Sequence, residues 1–431
     1  MLETLCFGSM NKAANNILNS ANFLLGVTAL LLPLNAKLCS YNIAAILLLG
    51  IFYFVKYSPK LKLDFADKIN LLPIILFVLM AISILYSHNK SEGLSYLSRQ
   101  LSLLILPAIA FFLKDKINRK FIFSGSIVGC LVALCLCFMN ALNAYNVDGS
   151  ELHFYYIMYS YLLHPTCFSI LLSCNIFFIL IELKNVSDKL YRFVLHFINF
   201  IFLVNIITLN SRMATSVFII ALVIYFAMQW MRNENRKILA FNFIAYCLVI
   251  VSGIYWMLNH YNRMSDILDS NVVKQSEMPT LEQVQESKLL ASNPSNLELR
   301  FSLWSSALNL IAKRPLLGYG IGDINSQLVT YYKEHKMLYA AFKELNPHNQ
   351  YLQIFLATGI VGFAVFGAYV VLCFFIAMQQ RDILGFLCLF ILAANAMVES
   401  LMQHSVGIIF FMLVTILITH RNRTDTKLFS K

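Results

Sequence analysis

Residues 350–378 read QYLQIFLATGIVGFAVFGAYVVLCFFIAM, a run without a single charged side chain. A helix needs about 20 mostly apolar residues to cross the hydrocarbon core of a bilayer, so this run is long enough to span one. Similar apolar blocks recur along the chain. They do not alternate apolar and polar residues as the strands of a membrane barrel do. The sequence therefore predicts an all-α membrane protein.

The composition indicates the same fold class. The chain has 431 residues, of which 59% are apolar and 13% charged. A soluble domain carries about 25% charged residues. We count twelve apolar blocks, and the sequence therefore predicts a polytopic protein with about twelve transmembrane helices. The blocks lie at 17–35, 41–57, 69–87, 96–113, 120–142, 161–182, 191–209, 213–231, 237–257, 350–378, 382–400 and 404–420.

One long hydrophilic interval, residues 259–349, separates the ninth block from the tenth. It divides the chain into three predicted regions. Residues 1–258 hold helices one to nine, residues 259–349 form a helical loop outside the membrane, and residues 350–431 hold helices ten to twelve with a cytoplasmic tail.

The distribution of Lys and Arg predicts the orientation. Twenty of them fall on the side of the N-terminus, and four lie on the opposite side outside the long loop, at Lys37, Lys90, Arg99 and Arg212. Short cytoplasmic loops are enriched in Lys and Arg, so we expect both termini in the cytoplasm and the long loop on the outer side. This asymmetry also accounts for the net charge of +11, and we predict no nucleic-acid partner.

The long loop has the pattern of ordered helices. Residues 299–311 place Arg300 and the apolar residues that follow it at helical spacing on one face, which predicts an amphipathic helix lying on the membrane surface. Pro315 should end this helix. A glycine-rich turn at 318–323 and a second helix from Ile324 are expected next.

The loop ends in Asn346-Pro347-His348-Asn349. Asparagine is a good N-cap and proline is favoured at the first helical position, so we predict that Asn346 caps helix ten. His348 would then lie in the first helical turn, where the helix dipole disfavours an imidazolium and keeps the ring neutral and available as a base.

Five more ionisable side chains map to the same outer side, and each has a functional and a structural interpretation. Arg99 is a site candidate or an arginine that reaches the interface. Arg212 suits a phosphate group or anchors the interface. Arg300 binds substrate or pairs with Glu298. His164 and Glu399 bind substrate or take part in helix-end contacts.

The sequence lacks a His and Cys cluster suited to a metal and a phosphate-binding glycine loop, so we predict neither metal nor cofactor. A transporter places its ionisable residues near the middle of the membrane rather than at one side. Since nucleotide triphosphates are absent outside the cell, an outer-side reaction needs an activated substrate. A polyprenyl diphosphate sugar carries its own leaving group and meets that requirement.

Several segments in order resemble the O-antigen ligase and polymerase superfamily. Residues 347–353 with 358–362 are similar to its His-Asn-x-x-Leu signature, and residues 210–212 to its Ser-Arg turn. Residues 300–304 and 314–320 are similar to its periplasmic loop. The resemblance covers the twelve-helix layout and is most specific across residues 300–362.

This resemblance implies a GT-C-like, metal-independent and inverting glycosyltransferase of the bacterial inner membrane with its site facing the periplasm. The donor would be an undecaprenyl diphosphate-linked glycan and the acceptor lipid A-core, in contact with membrane lipids. By analogy, Arg212 and Arg300 would bind the diphosphate and His348 would be the general base. Substrate-binding roles are expected for Arg99, His164, Asn349 and Glu399.

Other functions stay open at this point. A polymerase that extends O-antigen repeats, or a ligase that transfers glycan to protein, would use the same site chemistry with a different acceptor. A polysaccharide transporter or flippase is the alternative from another class.

Overall fold

The structure, a computed structural model, describes residues 2–57, 65–113, 117–232, 236–237, 239–253, 255 and 296–420, with the side chains of residues 2–13 and 296–298 left out. Its regular structure is α-helix with short 3-10 turns, and the described residues form no β-strand. The predicted all-α fold class is confirmed. The boundary predicted at 258/259 and loop residues 259–295 lie outside the described residues.

Among the residues that the structure describes, eight helical segments are long and apolar enough to cross a membrane, which confirms a polytopic membrane protein. They are Ala36–Tyr57 (α2), Phe65–Tyr86 (α3 Phe65–Ile69, α4 Leu71–Ser83 and a 3-10 turn), Lys90–Leu113 (α5 Lys90–Arg99 and α6 Ser102–Leu113), Arg119–Asp148 (α7), Pro165–Glu182 (α9), Lys189–Thr208 (α10), Arg212–Met231 (α11) and Gln350–Gln379 (α16).

The other predicted blocks also coincide with helices. They are Leu2–Leu31 (α1) and the shorter apolar helices Leu239–Gly253 (α12), Ile383–Ala396 (α17) and Ser405–Thr419 (α18). A one-turn helix, Tyr156–Tyr159 (α8), precedes α9. The number of crossings, twelve, stays a prediction.

Helix α9 lies at the centre of the bundle. Of the residues in its apolar membrane-spanning stretch, 94% are buried within the protein, against 17% for α2. It packs against α7, α10, α11 and α17. Phe123 of α7 stacks on Phe178 of α9 with ring centroids 4.6 Å apart. This central helix therefore has neighbours on several sides.

Residues predicted to be cytoplasmic meet at one end of the bundle. The Arg119 guanidinium pairs with the Asp382 carboxylate and donates a 2.8 Å hydrogen bond to the Leu417 carbonyl oxygen. Asn70 lies 2.8 Å from the His420 ring nitrogen. These contacts join four membrane helices at the end opposite the loop.

The described part of the long loop is folded as its sequence predicts. It contains Asn296–Lys313 (α13), Ile324–Glu334 (α14) and Leu338–Phe342 (α15). Leu303 and Ala307 of α13 are fully buried, and α13 packs against α14 and α16. The apolar face of α13 is thus covered by protein, and contact with the membrane surface stays a prediction.

Helix α16 is kinked at Gly359, whose φ of 66° is in the left-handed region. A kink removes helical hydrogen bonds, and the loop before α14 replaces them. Tyr319 N–H donates to the Leu356 carbonyl over 2.8 Å, and Ile360 N–H donates to the Pro315 carbonyl over 2.9 Å. Irregular backbone within a membrane helix is tolerated where protein satisfies its polar groups in this way.

Candidate active site

The segment that connects the loop to α16 differs from the prediction. The N-cap of α16 is Asn349, whose Oδ1 accepts hydrogen bonds from Tyr351 N–H (3.0 Å) and Leu352 N–H (3.1 Å). The prediction that Asn346 caps this helix is therefore wrong, and His348 precedes the helix. Local capping preferences fit both asparagines, and contacts distant in sequence decide between them. The helix-dipole argument for a neutral His348 does not apply.

His348 instead faces a carboxylate. Its Nδ1 lies 3.0 Å from Glu399 Oε1, in the turn that joins α17 to α18. The two side chains retain 29% and 18% of their exposure, so the pair is accessible from the surface. An ionised carboxylate only accepts hydrogen bonds, so Nδ1 donates and Nε2 of the neutral ring carries the free lone pair. This arrangement suits a general base.

Glu399 is at the centre of a charged cluster. Burial opposes its ionisation, but the hydrogen bond from His348 and the positive charges of His348, His164 and Arg300 outweigh burial and lower the pKa of the Glu399 carboxyl. Arg300 of α13 and His164 at the start of α9 therefore lie within electrostatic range of this carboxylate. The structure thus brings four of the predicted site residues together.

His164 is the N-cap residue of α9, and its backbone φ and ψ are −52° and 131°. The ring has an exposed surface, yet the protein around it lowers its pKa, chiefly through burial and also through His404 and His348, while Glu399 raises it. A lowered pKa favours the neutral ring. His404 therefore also lies within electrostatic range of the site.

Arg212 is the first residue of α11. The preceding residue, Ser211, is buried, and its Oγ lies 3.0 Å from Thr166 Oγ1, two residues after His164. This contact holds the N-terminal ends of α9 and α11 side by side. The Arg212 side chain is exposed, and no carboxylate among the described residues lies within ion-pair distance.

Arg99 contacts an aromatic ring of its own helix and is not among the residues that act on Glu399 or His164. It is the last residue of α5, and its guanidinium carbon lies 5.5 Å from the centre of the Tyr96 ring. The predicted block at 96–113 lies within the span Lys90–Leu113, which is interrupted where α5 ends at Arg99 and α6 begins at Ser102. Gln100, in this break, is buried and donates a 2.7 Å hydrogen bond to the Met402 carbonyl.

Polar residues that no sequence motif predicts hold the segments on either side of the His348–Glu399 pair. Ser400 and Gln403 contact Asn346, and Gln350 contacts the Met402 backbone. No periodicity or charge pattern distinguishes these side chains, and their partners are more than 50 residues away in the chain. The described residues contain no cluster of three His, Cys, Asp or Glu side chains placed to hold a metal ion.

The comparison with known families adds a further observation. Residues 197–367 match the O-antigen ligase family. This confirms the resemblance identified from the sequence motifs, and it supports a membrane enzyme of the O-antigen ligase and polymerase family, a group of membrane glycosyltransferases. No curated protein matches the chain.

The O-antigen ligase match includes Arg212, Arg300, His348 and Asn349. Glu399 and His164 lie outside the matched residues, yet both interact with the part of the site that lies inside. The family implies a lipid-linked glycan as substrate.

Proposed function

We propose that this protein is an inverting, metal-independent glycosyltransferase that ligates O-antigen polysaccharide from undecaprenyl diphosphate onto lipid A-core. The observation that supports it most directly is the His348–Glu399 pair with Arg300 beside it. The proposal includes a GT-C-like arrangement of about twelve transmembrane helices in the bacterial inner membrane, with the site facing the periplasm.

In the proposed reaction, an acceptor hydroxyl oxygen attacks the anomeric carbon of the donor sugar. Nε2 of His348 takes the hydroxyl proton, and Glu399 stabilises the imidazolium that forms. The bond between the anomeric carbon and the phosphate oxygen breaks, and the electron pair leaves with undecaprenyl diphosphate. Attack from the side opposite the leaving group inverts the anomeric centre.

The two arginines would stabilise the departing diphosphate. Arg212 and Arg300 lie on different helices near the same cluster, so they can contact the diphosphate from two directions. A guanidinium binds phosphate oxygens in a bidentate manner, and its charge becomes more favourable as negative charge develops on the leaving group. Asn349, His164, Glu399 and Arg99 are proposed to contact the sugars or the diphosphate.

The test is transfer by purified protein supplied with lipid-linked glycan and lipid A-core. His348→Ala should lower the rate by about 10²–10⁴-fold, the usual contribution of a general base. In cells, this variant should remain in the membrane and leave lipopolysaccharide without long chains. Persistence of capped lipopolysaccharide would show that His348 is not the base.

A deletion strain distinguishes the ligase from its relatives. A ligase defect leaves polymer on the lipid carrier, whereas a polymerase defect leaves single repeats that are still transferred. Glycan found on protein would indicate an oligosaccharyltransferase. Reconstituted protein that moves lipid-linked glycan across a bilayer without forming a glycosidic bond would indicate a flippase.

A further inference from the structure

Asn346 connects the two segments that carry the His348–Glu399 pair. Its Oδ1 accepts a 2.7 Å hydrogen bond from His348 N–H and a 3.3 Å hydrogen bond from Ser400 Oγ. Its Nδ2 donates a 2.6 Å hydrogen bond to Gln403 Oε1. Both polar atoms of the amide are therefore engaged, and together they join the segment of His348 to the segment of Ser400 and Gln403.

We infer that Asn346, with Ser400 and Gln403, is a positioning unit that sets the orientation of the His348 ring. The inference rests on the proposed function, because the orientation matters for a proton transfer. Asn346 does not touch the reacting atoms in this scheme and acts through His348.

The backbone of His348 explains why such a unit is needed. Its φ of 44° is in the left-handed region, which residues other than glycine rarely adopt. The hydrogen bond from His348 N–H to the asparagine two residues earlier closes a local turn that favours this conformation. The turn directs the imidazole toward Glu399 instead of along the first turn of α16.

The partner segment is itself held in place. Met402, next to Gln403, has both backbone groups bound by buried glutamines. Its carbonyl accepts from Gln100 Nε2 and its N–H donates to Gln350 Oε1, each over 2.7 Å. The exposed fractions of the two glutamines are 0% and 1%. Contacts from α5 and α16 thus fix the turn against which Asn346 positions His348.

Removal of the amide is the first test. In the purified transfer assay, Asn346→Ala should lower kcat by about tenfold or more while KM for the lipid-linked donor stays unchanged, since the contact acts on the chemical step. Asn325→Ala is the matched control, because Asn325 is an exposed asparagine of the same loop that bonds Glu92 over 2.9 Å. The control should retain the kcat of the wild type.

A conservative replacement separates positioning from folding. In Asn346→Asp, a carboxylate oxygen still accepts from His348 N–H, and the Gln403 amide can rotate to donate to the other oxygen. The added negative charge beside His348 favours the protonated ring. The acidic limb of the pH–rate profile should therefore move to higher pH, with activity recovering in alkaline buffer.

A double replacement tests the contact with Gln403. Gln403→Glu alone keeps an acceptor for Asn346 Nδ2 and should retain most activity. Combined with Asn346→Asp, it places two carboxylates in contact without a donor between them. The loss of kcat in the double variant should exceed the product of the two single losses.

Two results would overturn the inference. One is a wild-type kcat in Asn346→Ala. The other is an Asn346→Asp profile of unchanged shape and reduced height, which a purely structural role produces. If either occurs while His348→Ala is inactive, the inference alone fails. If the wild type forms no glycosidic bond with lipid A-core, with O-antigen repeats or with protein as the acceptor, the proposed function fails and the inference with it.

Discussion

His348 Nδ1 lies 3.0 Å from Glu399 Oε1, although 51 residues and a complete helical hairpin separate them in the chain. The hydrogen bond orients the ring and leaves Nε2 available for another partner. It also places a negative charge where an imidazolium would form. A histidine held in this way by a carboxylate is a recurring arrangement for activating a hydroxyl group.

Replacement of Glu399 by glutamine tests this role. Glutamine can still accept from Nδ1, but it no longer stabilises the imidazolium, so kcat should fall by about tenfold or more, and by less than in His348→Ala. Transfer by purified protein measures the effect. Glu92→Gln, at an acidic residue on the same side that contacts Asn325, is the control and should behave as wild type. An unchanged kcat in Glu399→Gln would contradict the pairing argument.

Replacement of the arginines by lysine tests diphosphate binding. Lysine keeps the charge but loses the planar fork, so Arg212→Lys and Arg300→Lys should each weaken transfer by about 1–3 kcal/mol, or about fivefold to 150-fold. Arg232→Lys is the control, because Arg232 follows the opposite end of the same helix that Arg212 begins. Donor titrations with each variant measure the change. Equal loss in the control would contradict a local role.

The sequence predicts much of this arrangement, and its failures have physical reasons. Loop charge alone places His164, Arg300, His348 and Glu399 on one side, and the electrostatic contacts of Glu399 bring them together. Charge asymmetry succeeds because it reflects a constraint on whole loops. It says nothing about which side chains touch.

Positions near helix ends are harder to predict. Asn346 and Asn349 fit the N-cap rule equally well, and Pro347 favours the wrong choice. Gln403 and Ser400, 57 and 54 residues from Asn346, determine the outcome because they engage its amide. In the same way, the break at Gln100 is stabilised by a bond to Met402, 302 residues away, which no local pattern contains.

The buried ion pair between Arg119 and Asp382, at the end of the bundle opposite the site, should contribute strongly to the stability of the fold. Asp382→Ala removes the carboxylate that pairs with the buried Arg119 guanidinium and should destabilise the fold by about 3–5 kcal/mol. The adjacent Lys120 pairs with Glu182 over 3.1 Å, but its side chain is 59% exposed. Lys120→Ala should cost less than about 1 kcal/mol. Melting temperatures in detergent compare the two, and similar shifts would contradict the argument.

The kink in α16 gives a second prediction about stability. In Gly359→Ala, the new Cβ would collide with the Leu316 carbonyl at a φ that alanine disfavours, so the loop must detach or the helix must straighten. We expect a loss of more than about 2 kcal/mol. Gly367→Ala is the control, because no atom lies within 4 Å of its added Cβ. It should be neutral or stabilising by up to about 1 kcal/mol. The midpoint of thermal unfolding measures both.

Acid should weaken the fold through His164 and Glu399. The pKa of each group is lowered, from ordinary values of 6.5 and 4.5, so the unfolded chain binds more protons in acid than the folded chain does. The stability from His164 is complete above pH 6.5 and is lost as the pH falls through its folded pKa. The stability from Glu399 follows the same course below pH 4.5.

Two variants separate the contribution of His164 to acid stability from that of Glu399. His164→Asn should remove the loss that begins below pH 6.5. Glu399→Gln should remove the loss that begins below pH 4.5. Glu399→Gln should also enlarge the loss of stability that begins below pH 6.5. The reason is that the Glu399 carboxylate raises the pKa of His164, so its removal lets that pKa fall further. Melting temperatures between about pH 8 and about pH 4 test this. An unchanged first loss in Glu399→Gln would mean that the two side chains are not electrostatically coupled, and His164 would then lie apart from the site; a shallower loss would contradict the sign of the coupling.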